Sequence, residues 1–210
     1  MKVYVQQYCA LGRQYLLIKS IYMMAENAAH NRRSIDEKQT TGGARMIAII
    51  DYDAGNIKSV EKALHYLGEE TVVSRDPQVL LSADKVILPG VGSFGDAMNN
   101  LNKFGLVPVI RELTEKGTPF LGICLGLQLL FESSDETPGV EGLGILKGKI
   151  VKIPPAPGLK IPHMGWNSLH LQNDGRLFKG IPEETYVYFV HSYYLQAKEP
   201  EIVKATAQYG

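Results

Sequence analysis

Residues 118–131 constrain the fold of this chain more than any other part of its sequence. They read as a short apolar strand that breaks at Gly-Ile-Cys-Leu-Gly, with Cys124 at its centre, and continues as an apolar helix. Small residues on both sides of a nucleophile permit a strained strand-to-helix turn that holds the reactive side chain clear of the backbone. The N–H groups and the dipole at the start of the helix would favour the reactive thiolate. The alternative is a buried core thiol, which would not require Gly122 and Gly126. We therefore predict that Cys124 is a nucleophile.

The composition limits the classes of partner and site. The 210 residues suffice for one ordinary domain, and the hydrophobic fraction of 45% is normal for a globular protein. Twenty-two basic and 22 acidic residues give a net charge of zero, so we expect neither a nucleic acid nor a membrane surface as a partner. Cys9 and Cys124 show no framework spacing, which favours reduced thiols in the cytoplasm. The sequence contains no metal-type Cys/His cluster, and we predict no metal and no cofactor.

The first 45 residues differ in character from the rest. Residues 15–24 are apolar, but they include Lys19, are too few to span a bilayer and lack a signal-peptide cleavage site. They would suit an amphipathic helix, and residues 40–45 read as a flexible join. We interpret residues 1–45 as an N-terminal extension, either flexible or a leader that is not native to the domain, and residues 46–210 as the functional domain.

Strands and helices alternate regularly from Met46 onward. An apolar run predicts a first strand, and apolar residues at helical spacing predict a helix that ends at Gly68. Helical segments interrupted near Gly105 and Pro108 precede the Cys124 strand. The other predicted elements are strands at residues 70–73 and 85–88 and a short helical turn at residues 76–81. This alternation predicts an α/β fold, with a mostly parallel open sheet and helices on both faces.

The glycine-rich loop Pro-Gly-Val-Gly at residues 89–92 leaves the end of the third strand. The carboxyl ends of parallel strands meet at one edge of a sheet, so this loop should lie beside Cys124. Exposed peptide N–H groups of glycine-rich backbone are suited to stabilising a developing oxyanion. We predict an oxyanion hole formed by an N–H group near Val91 and Gly92 together with the N–H of Leu125. The alternatives are a phosphate-binding loop or a simple tight turn.

Two polar residues beyond Cys124 are less distinctive. Gln128 lies one helical turn on and should share a face with the start of the helix, near the nucleophile. It is a candidate substrate contact, and the alternative is a solvated surface amide. Glu136 lies in a polar loop and by default is a solvated charge.

The sequence pattern in the second half of the chain predicts short strands separated by turns, with strands at residues 144–146 and 148–153. His-Met-Gly-Trp-Asn at residues 163–167 holds the single tryptophan, which would suit either core packing or an interface. Residues 186–195 predict one β-strand in which His191 and Ser192 are polar exceptions. These two residues are either satisfied core groups or the substrate-facing end of the strand.

Together these motifs resemble the class I (triad) glutamine amidotransferases, which share a flavodoxin-like fold. The resemblance covers residues 46–210. It extends to Asp-Tyr-x-x-Gly-Asn at residues 51–56, His-Met-Gly-Trp-Asn at residues 163–167 and Tyr-Phe-Val-His-Ser-Tyr at residues 188–193. In this combination they are similar to the members of the family that serve histidine biosynthesis.

The resemblance implies hydrolysis of glutamine to glutamate and ammonia through a γ-glutamyl thioester on Cys124. It also implies a heterodimer with a (β/α)8-barrel cyclase, which would use the ammonia to make imidazole glycerol phosphate and an aminoimidazole carboxamide ribotide. The expected oxyanion residues are Val91, Gly92 and Leu125, and the expected substrate-binding residues are Gly92, Gln128, Glu136, Ser192 and Tyr193. The expected partner interface is the segment of His163, Met164, Gly165, Trp166 and Asn167.

One departure concerns the rest of the triad. The family places a His-Pro-Glu motif some tens of residues beyond the segment that in this chain is Thr206-Ala-Gln-Tyr-Gly210, where the sequence ends. None of its five histidines is followed two residues later by an acidic residue; they are His30, His65, His163, His170 and His191. We therefore expect a domain that lacks its C-terminal end. The alternatives to a glutaminase are an inactive chain that only binds its partner and a different Cys-elbow hydrolase.

Overall fold

The computed structural model describes residues 3–6, 46–172 and 176–210, so the expected helix at residues 15–24 and the join at 40–45 lie outside the described residues. The strands are β1 (Val3–Gln6), β2 (Met46–Ile50), β3 (Glu70–Ser74), β4 (Lys85–Leu88), β5 (Phe120–Ile123), β6 (Ser133–Ser134), β7 (Gly148–Lys152), β8 (His163–Ser168), β9 (His170–Leu171), β10 (Tyr186–His191), β11 (Tyr193–Ala197) and β12 (Ala205–Thr206). The α-helices are α1 (Ile57–Tyr66), α2 (Pro77–Ser82), α3 (Phe94–Lys103), α4 (Leu106–Glu115) and α5 (Leu125–Gln128), and short 3-10 helices span Arg176–Phe178 and Pro200–Ile202.

The main sheet is parallel, with its described strands in the order β1-β5-β4-β2-β3. Strand β2 shows why its apolar run is continuous. Ala48 and Ile50 belong to one hydrophobic core, while Ile47 and Ile49 belong to a second core with α1 on the opposite face. Both faces are covered, as expected of a buried parallel strand. The predicted α/β fold is confirmed.

Capping residues explain where several helices begin and end. Helix α1 stops just before Gly68, whose φ of +74° is a conformation that glycine adopts readily. The Asp76 carboxylate accepts a hydrogen bond from the N–H of Gln78 at the start of α2. Gly105, at φ +65°, separates α3 from α4. Pro108 does not interrupt a helix, because it lies in the first turn of α4, where the missing N–H breaks no helical hydrogen bond.

Helix α5 is shorter than the apolar pattern predicts. It was expected to continue to residue 131 but ends at Gln128. The N–H groups of Leu130 and Phe131 donate to carbonyls three residues back, at Leu127 and Gln128, instead of four, so the α-helical pattern ends. The carbonyls that follow accept hydrogen bonds from elsewhere in the chain. Leu143 donates to Leu129, Leu146 to Leu130 and Gly144 to Phe131, at 2.8–3.1 Å. The segment at residues 143–146 therefore replaces the next helical turn, and the strand predicted at 144–146 is wrong for the same reason.

The second half of the chain is mainly antiparallel. Strand β8 pairs with β10, β11 with β7, and β12 with β9. The single strand expected at residues 186–195 is wrong, because the chain leaves one pair and enters another at Ser192, whose carbonyl accepts a hydrogen bond from the N–H of Ile153. No helix among the described residues is long and apolar enough to cross a membrane.

Candidate active site

Cys124 occupies a strained corner between β5 and α5. Its backbone has φ 54° and ψ −115°, a conformation that costs a non-glycine residue about 1–3 kcal/mol and that clusters at functional sites. The carbonyl of Cys124 accepts hydrogen bonds from the N–H groups of Leu127 and Gln128, at 3.0 and 3.3 Å. The side chain is half-buried. The strained turn expected from the sequence is present, while the nucleophilic role of Cys124 stays a prediction.

The two glycines around Cys124 allow neighbouring backbone segments to pack in direct contact, with no room for a side chain between them. A Cβ atom on Gly122 would lie 2.7 Å from the carbonyl oxygen of Gly126. A Cβ atom on Gly126 would overlap the carbonyl oxygen of Leu88, the last residue of β4. The Cys124 corner therefore packs directly against the strand that leads into the 89–92 loop.

The 89–92 loop lies against the first turn of α5. A Cβ atom on Gly90 would be 2.6 Å from the backbone nitrogen of Gly126 and 2.9 Å from Cβ of Leu125. Val91 is exposed, and Gly92 has a φ of +98° with open space around its missing side chain. The structure thus places the loop that carries Val91 and Gly92 against the turn of Leu125, through Gly90, at the carboxyl edge of the sheet.

Tyr52 joins this loop to the strand at the centre of the sheet. It is the second residue after β2, is only 1% exposed and donates a 2.8 Å hydrogen bond from its hydroxyl group to the carbonyl of Pro89. Burial raises the pKa of Tyr52 well above its usual value, and the negative charge of a Cys124 thiolate raises it further. Sequence reasoning did not single out Tyr52. Its position two residues after a buried strand, in the Asp-Tyr-x-x-Gly-Asn motif, was the available signal.

Ion pairs with Arg75 also hold the 51–56 loop, which contains Tyr52. The Arg75 guanidinium donates to the carboxylates of Asp51 and Asp53, at 2.7 and 2.6 Å, and lies 4.1 Å from the centre of the Phe104 ring. Burial alone would raise the pKa of Asp51, but the hydrogen bonds from Arg75 and from the N–H of Asp53, with the charge of Arg75, lower it. Asp51 therefore stays charged and tied to Arg75.

Gln128 and Glu136 both follow the Cys124 corner in the sequence. Gln128 is only 9% exposed, so it is not the solvated surface amide that was the alternative. Glu136 is half-buried, and its carboxylate accepts a 2.8 Å hydrogen bond from the N–H of Phe94 at the start of α3. It is therefore more than a solvated charge, because it fixes the helix that begins just after the 89–92 loop.

Ser192 and Tyr193 lie at the junction of β10 and β11. The Ser192 carbonyl accepts a 2.9 Å hydrogen bond from the N–H of Ile153, the residue that follows β7. Tyr193 pairs with Lys152 of β7 and packs against the larger core. These contacts hold the junction against β7, and the expected role of both residues in binding substrate stays a prediction.

A partly buried network of hydrogen bonds that sequence reasoning missed links β8, β10 and residues 208–209. A 3.0 Å hydrogen bond joins Nδ1 of His163 to Nε2 of His191, whose Nδ1 donates to the carbonyl of Tyr193 at 2.9 Å. Nε2 of His163 lies 2.7 Å from the Asn167 amide oxygen, and the Asn167 amide nitrogen donates to the carbonyl of Gln208 at 2.8 Å. The Tyr209 ring stacks on His163.

Strand β8 alternates between two environments. His163 is 2% exposed, whereas Met164 and Trp166 are 62% and 50% exposed. On the paired strand, Tyr188 lies opposite Trp166 with the two rings edge to face, and Tyr186 is also exposed. We call Met164, Trp166, Tyr186 and Tyr188 the aromatic patch. Within the described part of the chain, no group of three His, Cys, Asp or Glu side chains is arranged to hold a metal ion.

Known proteins resemble the chain in both sequence and fold. The imidazole glycerol phosphate synthase subunit HisH of Moorella thermoacetica is 54% identical over 166 residues, covering 79% of this chain and 78% of that protein. The corresponding subunit of Aquifex aeolicus is 52% identical over 163 residues, covering 77% and 78%. A crystal structure of a glutamine amidotransferase matches the fold with a TM-score of 0.57, at 19% identity over 75% of this chain and 76% of that one.

The family model agrees with these relatives. It is the model of the class-I glutamine amidotransferases, and it matches residues 48–209, which include the Cys124 corner, the 89–92 loop and strands β8 and β10. The chain belongs to the class-I glutamine amidotransferase family.

Proposed function

We propose that residues 46–210 form a glutaminase domain in which Cys124 hydrolyses glutamine to glutamate and ammonia. The observation that carries the proposal is the strained Cys124 corner packed against the 89–92 loop. The Cys124 thiolate attacks the γ-carbonyl carbon, and the carbonyl electron pair moves onto oxygen. The carbonyl re-forms as the C–N bond breaks, the nitrogen takes up the proton that the thiol gave up on ionising, and ammonia departs, so that Cys124 remains as a γ-glutamyl thioester. Water cleaves the thioester, giving glutamate and the free thiol.

The 89–92 loop would stabilise the oxyanion of that tetrahedral intermediate. N–H groups of Val91 or Gly92 and of Leu125 are the proposed donors, since backbone dipoles fixed before reaction need no reorganisation when charge develops. Gly92, Gln128, Glu136, Ser192 and Tyr193 are the proposed substrate contacts. His163 and His191 hydrogen-bond to each other, and we assign neither of them the general-base step.

The relatives named above are subunits of imidazole glycerol phosphate synthase, and we propose the same assembly for this chain. Ammonia would pass to a (β/α)8-barrel cyclase in a heterodimer of histidine biosynthesis. The aromatic patch supports this proposal, because exposed Trp and Tyr side chains that lie together are typical of interface anchors. Met164 and Trp166 would contact the partner, while the buried His163, with Gly165 and Asn167, would support the strand from behind. A thiolate nucleophile also fits the reducing cytoplasm.

Glutamate release by the full-length protein, assayed with the cyclase subunit from the same source, tests this function. Cys124→Ala should reduce the rate at least about 1,000-fold, because the nucleophile acts in both half-reactions. Cys9→Ala is the control for loss of a thiol and should retain activity. Mass spectrometry of the wild type should find one glutamyl group attached to Cys124.

Two results would contradict the proposal. Undiminished glutamine hydrolysis by Cys124→Ala would place the chemistry elsewhere. A wild-type chain that binds the cyclase but forms neither thioester nor glutamate would replace the glutaminase function with a binding function.

A further inference from the structure

The Tyr52 hydroxyl group bridges two loops at the place where the sheet reverses its strand order. Strand β2 lies between β3 and β4, and the chain builds outward from β2 in one direction and then in the other. The carboxyl ends at such a switch point form the crevice in which open α/β sheets bind ligands. Tyr52 follows β2, Pro89 follows β4, and their 2.8 Å hydrogen bond spans this crevice beneath the surface.

The same hydroxyl group lies where the loop and the nucleophile corner meet. A Cβ atom on Gly90 would be 2.8 Å from the Tyr52 hydroxyl oxygen and 2.6 Å from the nitrogen of Gly126. Tyr52, the loop and the first turn of α5 therefore surround one point. The charge of the Cys124 thiolate reaches Tyr52, since it contributes to the raised pKa of the phenol.

The raised pKa has a consequence for the hydrogen bond. The phenol keeps its proton at every pH at which the protein would work, so its O–H remains a donor to the Pro89 carbonyl. A tyrosinate would instead repel that carbonyl. The bond is therefore a permanent restraint and not a titrating one.

Fixing the Pro89 carbonyl also fixes the amide plane that follows it. The peptide bond is planar, so the direction of the Pro89 C=O determines the direction of the Gly90 N–H. Gly90 and Gly92 have no side chains to limit their backbone angles, and Gly92 already has a φ of +98°. Gly55 supplies a second contact to the loop, since a Cβ atom there would lie 2.9 Å from the Val91 side chain.

We propose that Tyr52 is a positioning residue, whose hydroxyl group holds the 89–92 loop so that the N–H groups of Val91 and Gly92 face the oxyanion formed at Cys124. The inference rests on the proposed glutaminase function. Tyr52 touches no reacting atom, and it acts through the Pro89 carbonyl. Its removal should therefore weaken the oxyanion hole while leaving the thiol itself unchanged.

Tyr52→Phe removes the hydroxyl group and keeps the ring. Glutamine hydrolysis should fall about 10-fold in kcat with KM within about twofold, because the lost interaction matters most when the oxyanion forms. Alkylation of Cys124 by iodoacetamide needs the thiolate but no oxyanion hole, so its rate should stay within about twofold of wild type. Hydrogen–deuterium exchange of the residue 90–92 amides should be faster in the variant.

Tyr209→Phe is the matched control. Its hydroxyl group also donates to a backbone carbonyl, that of Lys160 at 2.6 Å, on the side of the molecule that contains β8. It should change neither kcat nor exchange at residues 90–92. The inference is overturned if Tyr52→Phe keeps wild-type kcat and exchange, or if alkylation falls as far as kcat, which would indicate damage to the thiol or the fold. Absence of glutamine hydrolysis by the wild type would instead overturn the proposed function, and with it this inference.

Discussion

The parallel half of the molecule, residues 46–131, and the antiparallel half, residues 148–210, differ in how much of their strand surface is buried. In the parallel half, both faces of β2 are covered and the backbone contacts around Gly126 leave no room for a methyl group. In the antiparallel half, β8 buries one face and exposes Met164 and Trp166 on the other. Packing on both faces, as in the parallel half, holds backbone atoms in a fixed geometry, which a catalytic site requires. Packing on one face, as in the antiparallel half, presents a surface, which binding requires.

The largest expected effect tests the tightness of the parallel half. Gly126→Ala would force a Cβ atom into the Leu88 carbonyl, so we expect a loss of stability of more than about 4 kcal/mol or no folded protein. Gly165→Ala in β8 is the matched control, because a Cβ atom there meets nothing within 4 Å, and it should change stability by less than about 0.5 kcal/mol. Urea denaturation followed by circular dichroism measures both. Equal effects would contradict the contrast between the halves.

A second prediction tests the exposed face of the antiparallel half. Trp166→Ala should weaken association with the cyclase by about 2 kcal/mol, roughly 30-fold in Kd, with little change in the unfolding free energy. Tyr66→Ala, on α1 in the parallel half, removes an even more exposed aromatic ring, at 74%, and should leave Kd unchanged. Isothermal titration calorimetry against the cyclase would measure the Kd of both variants. Similar losses for both variants would mean that the aromatic patch is not the interface.

The smallest expected effect concerns pH and the buried face of β10. Burial lowers the pKa of His191, and the charge of His163 lowers it further, while the hydrogen bond to the Tyr193 carbonyl partly opposes this shift. As the pH falls through about 6.5, the unfolded chain binds a proton at His191 that the folded chain does not. Stability should therefore decrease from pH 7 to pH 5.

His191→Gln removes the titrating group and should flatten this decrease, although the variant starts about 1 kcal/mol less stable because of its altered hydrogen bonds. Unfolding free energies at several pH values would reveal the change in slope. An unchanged slope would show that other groups govern the acid response.

Sequence patterns predicted the parallel half well because local and long-range preferences agree there. The run at Met46–Ile50 is apolar at every position, and the structure gives every alternate residue a core to enter. The strained turn at Cys124 was also predictable, since glycines flank it. In the antiparallel half, the strand break at Ser192 escaped prediction because strong β propensity continues through it, while the pairing partner changes.

Features that depend on distant backbone atoms were not predictable. The carbonyls that follow α5 accept hydrogen bonds from residues 143–146, which no local pattern contains. The Tyr52 hydrogen bond joins residues 37 positions apart, and the motif marks the tyrosine without naming its partner. The histidine pair of β8 and β10 depends likewise on strand register. The sequence therefore predicted which residues form the candidate site, but it did not predict the contacts that hold them in place.

The close approach of Gly126 to the Leu88 carbonyl has a further consequence for motion. Leu88 ends the strand from which the 89–92 loop departs, and Gly126 lies two residues after Cys124. The nucleophile and the loop are thus attached to a common point in the sheet. Close-packed interiors transmit displacements instead of absorbing them. Thermal motion of the sheet would therefore displace the Cys124 sulfur atom and the loop amides together. The distance between them would then fluctuate less than the position of either group.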